Sequence, residues 1–115
     1  MRIHSLTVKH LVDYHPDLSY LDQEGFERRK RKYVEGEFSH IGIVAEAQYS
    51  DVDGSYAPLK TIASQGCWGI ESDSEDSYIK DIEVSEIADL QARLIELGFD
   101  RTQLPPNDAY KFELI

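Results

Sequence analysis

Residues 38–50, Phe38-Ser39-His40-Ile41-Gly42-Ile43-Val44-Ala45-Glu46-Ala47-Gln48-Tyr49-Ser50, set Ile41, Ile43, Ala45, Ala47 and Tyr49 on one side of an extended chain, opposite His40, Gly42, Val44, Glu46 and Gln48. Side chains alternate across a strand, so this period predicts a strand with one face in the core. Next, Asp51-Val52-Asp53-Gly54-Ser55 supplies the Asp-Gly pair of a tight hairpin, and an antiparallel partner is expected from about Tyr56. Pro58 places that partner at an edge or a strand start, and Leu59 to Ala63 continue it. Ser64-Gln65-Gly66 reads as a second turn and Cys67-Trp68-Gly69-Ile70-Glu71 as a third, buried strand. The middle of the chain is therefore expected to be a three-stranded meander.

Upstream, residues 2–12 are rich in β-branched side chains and read as a strand, although neither face is purely polar. Asp13-Tyr14-His15-Pro16-Asp17 breaks it. Leu18 to Glu35 predict a helix: acids come first, bases at 28–32 come last as the helix dipole favours, and Gly36 suits a left-handed cap. Downstream, Ser72-Asp73-Ser74-Glu75 matches a capping box opening another helix. Ile79, Ile82, Ile87, Leu90, Leu94 and Leu97 then recur at helical steps apart from one five-residue gap, which fits one bent helix or two consecutive ones, closed at Gly98. Beyond Pro105-Pro106, Tyr110, Phe112 and Leu114 alternate with Lys111 and Glu113, so the chain returns as a strand.

The 115 residues suit one domain, 1–115. The expected fold is α+β: an antiparallel sheet of four to five strands in the order β-α-β-β-β-α-β, with two helical segments packed on one face. Its core would join Ile41, Ile43, Ala45, Tyr49, Leu59, Trp68 and Ile70 to Ile87, Leu90, Leu94 and Leu97. Leu94→Ala in such a core should cost ~2–5 kcal/mol, read as a fall in melting temperature.

A net charge of −10 disfavours direct binding of nucleic acid, where phosphates must be neutralised. The lone Cys67 excludes an internal disulfide and a multi-cysteine zinc site. No apolar run approaches the roughly 20 residues of a membrane span, and the polar-interrupted opening residues do not read as a signal peptide. A cytoplasmic monomer or homodimer, away from membranes, is expected.

Between residues 70 and 89, Glu71, Asp73, Glu75, Asp76, Asp81, Glu83, Glu86 and Asp89 meet only Lys80. The ordinary meaning is a solvated helix face. The functional meaning is a partner-binding surface of Glu71, Asp73, Glu75, Asp76, Asp81, Glu83 and Glu86, a carboxylate row that could imitate duplex phosphates and occupy the basic groove of a nucleic-acid-handling enzyme. Arg28-Arg29-Lys30-Arg31-Lys32 points all round a helix axis, which suits a solvated helix, or a partner for the acidic stretch in the same chain or a second copy.

Other chemistries find less support. A calcium loop opened at Asp51 has its glycine too early and would end at Ile62. His4, His10, His15 and His40 lack compact metal-binding spacing, so no metal ligands are assigned. Neither a nucleophile elbow nor a phosphate-cradling glycine loop occurs, and Cys67 beside Trp68 reads as an inert strand thiol. No catalytic residue and no cofactor is assigned.

Asp17-Leu18-Ser19-Tyr20-Leu21-Asp22-Gln23 and Gly66-Cys67-Trp68-Gly69-Ile70-Glu71-Ser72-Asp73-Ser74, followed by an acidic helix from Tyr78-Ile79 to Leu97-Gly98, resemble a group of short acidic bacterial and phage-encoded proteins. The similarity covers residues 17–98. It implies a mobile-element setting and a cytoplasmic home, and it assigns no catalytic residue. Cys67 stands where an aliphatic residue is expected there, which argues against a family-wide thiol chemistry. The resulting expectation is a non-enzymatic modulator that binds a basic host protein. The alternative is a small hydrolase or ligand-binding enzyme with a cleft beside Trp68 and His40 or His10 as base.

Overall fold

The structure, a computed structural model, describes residues 1–52 and 57–114. Strand β1 (Arg2–Val12) leads through a 3-10 turn (Ser19–Asp22) to helix α1 (Glu27–Val34). Strands β2 (His40–Ser50), β3 (Lys60–Ala63) and β4 (Cys67–Glu71) follow, then helix α2 (Asp76–Leu97), 3-10 turns at Arg101–Gln103 and Asn107–Ala109, and strand β5 (Lys111–Glu113). The fold is α+β, as the sequence predicts. The Asp53-Gly54 hairpin and the start at Tyr56 lie outside the described residues.

β2 is the spine of the sheet, with β1 antiparallel along its length and β5 beyond β1. Ile41, Ile43, Ala45, Ala47 and Tyr49 are all buried on its inner face, as their alternation requires. In β1 a bulge between Ile3 and Ser5 resets the alternation. Ile3 pairs with Tyr49, and beyond the bulge Leu6 and Val8 join the same inner core. That reset explains why neither face of residues 2–12 is purely polar in sequence. β5 is parallel to β1, with Val8 opposite Phe112, so the sheet is mixed rather than wholly antiparallel.

The meander requires correction. β3 and β4 both pair antiparallel with β2, β3 along Glu46–Tyr49 and β4 along His40–Ile43, so they lie end to end in one direction. The chain does not reverse at Ser64-Gln65-Gly66 because Ser64 stays in the ladder: its amide donates to the Ala45 carbonyl (2.8 Å) and its hydroxyl accepts from the Ala45 amide (2.9 Å). The amides of Gln65 and Gly66, bulged off the ladder, donate instead to Asp89 Oδ2 (2.8 Å) and Glu86 Oε1 (2.7 Å) of α2.

A second irregularity, at Gly69 with φ +74°, lies where the register slips between Ile41 and Ile43. It separates two residues that strict alternation would keep together. Ile70 turns inward and is buried, whereas Trp68 turns outward over Gly42 and is 49% exposed. Trp68 is therefore not a core residue, and neither are Leu59, which precedes β3, and Leu97, in the last turn of α2. Phe99, just past the Gly98 cap, is buried instead.

α2 is a single uninterrupted helix lying over β2 and β3, with Ile87, Leu90 and Leu94 buried beneath it. Its start lacks the expected capping box: Glu75 is the cap residue and no side chain bonds a free amide there. Ser72 serves the sheet instead, its hydroxyl accepting from the Ser39 amide (2.9 Å). The single helix expected over 18–35 is divided at Gly25, whose φ of +93° ends the 3-10 turn before α1 starts. The cap at Gly36 (φ +76°) forms as read: Glu37 N donates to Lys32 O and Gly36 N to Tyr33 O. Of the two helices, α2 holds the inner face. The arm of residues 19–38 sits at His40, whose side chain leaves β2 on the side opposite Ile41.

Candidate interaction surface

The acidic stretch does not form one free row. At its start, Arg29 makes a bidentate pair with Asp73 (2.8 and 2.9 Å), reaches Glu71 Oε1 (3.0 Å), and rests its guanidinium 3.8 Å from the centre of the Phe38 ring. Hydrogen bonds from Arg29 hold the Asp73 carboxyl below the usual carboxylate range. The other Glu71 oxygen accepts from the Tyr20 hydroxyl (2.7 Å), which also lies 2.7 Å from His40 Nε2. His40 is 2% exposed and walled by Tyr20, Tyr33 and Phe38. Glu71 and Asp73 thus clamp the α1 arm to β4.

Further along, Glu83 meets His10 Nε2 at 2.8 Å, and Glu86 is buried against the Gly66 amide. The Gln65 amide, and after it Arg93, hold the Asp89 carboxyl below its ordinary range. Glu75, Asp76 and Asp81 are exposed, and no ion pair engages them among the described residues. Of the seven residues assigned to one surface, these three point free, while Glu71, Asp73, Glu83 and Glu86 serve the fold. In the basic run, Arg29 and Lys30 pair with Glu71, Asp73 and Asp22 of the same chain.

A groove of about 750 Å³ opens between the first half of α2 and the end of the sheet. Ile41, Ile79, Phe112 and Leu114 give it an apolar lining, and Asp76, Lys80 and the His10–Glu83 pair give it charge. A smaller hollow of about 330 Å³ continues it past Phe112 toward Val84, Ile87, Asn107 and Asp108. Phe112 is 49% and Leu114 67% exposed, although both belong to the inward-facing set that includes buried Tyr110. The sequence marks Phe112 and Leu114 only as alternating residues of a returning strand. The missed signal is one of supply, since a single long amphipathic helix is too narrow to cover four strands abreast.

The other histidines have different settings. His4, at the bulge, lies 2.9 Å from the Ser50 hydroxyl, and His15 is exposed. Trp68 lies across the sheet from the groove, so no cleft unites it with His10; the indole instead roofs Gly42, Val44 and Gly66 on the outer face. Burial pushes the Cys67 thiol up from its ordinary value, the direction of an unreactive group. No helix among the described residues is long and apolar enough to cross a membrane. In comparisons with protein-family models, curated proteins and solved structures, the chain matches none.

Proposed function

We propose that this protein is a non-enzymatic interaction module whose acidic α2 face engages a basic protein, in the phage or mobile-element setting that the resemblance implies. The observation that carries the reading is the groove in which exposed Phe112 and Leu114 lie beside Asp76, with Glu75 and Asp81 exposed on the first turns of the same helix. Apolar side chains left open and rimmed by charge are a common mark of a partner surface. The carboxylates supply steering and the apolar groups the contact area. Imitation of duplex phosphates is not part of this reading, because Arg29, His10 and the Gly66 amide already engage four of the seven carboxylates.

The test compares wild type with Glu75→Gln, Asp76→Asn and Asp81→Asn combined, a variant that spares every carboxylate used by the fold. One basic protein captured by wild type at low salt, weakened at high salt and lost from the variant supports the reading. Recovery of the same proteins by both chains would reduce these acids to solubilising groups.

The observation favouring an enzyme is the His10–Glu83 contact inside the groove, where a carboxylate could orient an imidazole base. Hydrolysis of model esters that disappears with His10→Gln, with the fold intact, would favour that alternative.

A further inference from the structure

We infer that the groove between β5 and the first half of α2 seats an amphipathic helix bearing lysine or arginine beside its apolar stripe, an inference that rests on the interaction reading above. α2 lies over β2 and β3. A helix with its side chains is roughly 10 Å across, about two strand spacings of ~4.8 Å, so the β1 and β5 side of the inner face has room for one more helix. Toward the start of β1 that room is filled by Phe99, Leu104 and Tyr110 from the chain's own tail. Toward its end, Phe112 and Leu114 stand open opposite Ile79 and Val84.

The shape of the opening selects the occupant. A strand added beside β5 would extend the sheet at its edge and leave the exposed face of Phe112 uncovered, whereas a helix laid beside α2 covers that face. The walls carry Asp76 and Asp108 against Lys80, with Glu83 facing His10, so carboxylates outnumber the lysine and favour a basic helix over an acidic one.

The probe is a synthetic peptide of about 14 residues with leucines at i, i+3, i+4 and i+7 and lysines elsewhere. Its controls are the same composition in strict alternation and the helical pattern with glutamate for lysine. Titrated into the full-length protein by NMR, the lysine helix should bind saturably and shift the signals of Phe112, Val84 and Ile79. Phe112→Ala, at a half-exposed site, should weaken binding about tenfold or more. Val84→Lys, at a partly exposed position of α2 that lines the hollow, should do the same with the melting temperature unchanged.

Equal binding of either control, shifts away from the groove, or indifference to both variants would overturn the inference. So would a concentration-dependent dimer that buries Phe112 without peptide, which would assign the groove to a second copy. If the lysine helix fails while a basic protein is still lost from the Glu75, Asp76 and Asp81 variant, the groove assignment alone falls. If neither binds, the interaction reading falls with it.

Discussion

The 2.7 Å contact between Tyr20 Oη and His40 Nε2 has only one proton arrangement while Glu71 is ionised. The phenol has a single hydrogen and gives it to the Glu71 carboxylate, which has none to offer, so His40 must donate from Nε2. His40 Nδ1 is buried without a partner, as suits the bare nitrogen of the neutral ring. Nitrogen-15 spectra should show His40 as the Nε2–H tautomer. Tyr20→Phe should strand the His40 donor and a Glu71 oxygen, costing ~1–3 kcal/mol in chemical denaturation. A variant as stable as wild type would show that this chain of bonds does not hold the arm.

Burial and then the bond to Glu71 push the Tyr20 phenol well above its ordinary value, and burial also raises Tyr110. For both, the folded state favours the neutral phenol. Their contribution to stability is therefore complete below the unfolded value of about 10 and declines as pH rises through and beyond it. In a spectrophotometric titration, Tyr20 and Tyr110 should ionise above the ordinary phenol range, each assigned by the signal lost in Tyr20→Phe or Tyr110→Phe. Ionisation of either phenol at its ordinary value in the native state would contradict this.

Glu86 and Asp89 bind the two amides at the break between β3 and β4. Glu86→Gln retains an acceptor of the same shape, whereas Glu86→Ala leaves the Gly66 amide unpartnered. The alanine variant should lose ~1–3 kcal/mol and the glutamine variant clearly less, with faster hydrogen exchange at Gly66 in the former. Equal losses would mean that charge, rather than the bond, matters there.

Gly42 has no space for a side chain, because a Cβ there would lie 2.1 Å from the Trp68 ring. Gly42→Ala should therefore push the indole off the sheet. The protein has one tryptophan, so its fluorescence reports this event alone, and the emission should shift to the red. Emission identical to wild type would refute the stacked geometry.

What could be read from sequence was the part governed by short-range periodicity. The alternation at Ile41 to Tyr49 and the stripe of Ile87, Leu90 and Leu94 each report their own burial, and Gly36 its own cap. The bulges at His4 and Gly69 were not legible, since one inserted residue reverses every later side chain without changing composition. Ser64 resembled a turn because serine favours turns, and only its pairing with Ala45 reveals that the chain runs straight on. For the surface, the acidic cluster was visible, but its division was not: Arg29 lies 44 residues from Asp73, and His10 73 from Glu83. Such pairs exist only once the sheet has brought distant segments together.

The break at Ser64-Gln65-Gly66 also governs how molecules of this protein meet at that side of the sheet. An incoming strand would need a long, even run of free amides and carbonyls, and here it finds two short pieces offset by a kink. Two of the amides at the kink are already claimed by carboxylates, which repel a second copy bearing the same charge. The flank is thus guarded against edge-to-edge strand addition into extended fibrils, and concentrated solutions should resist that route.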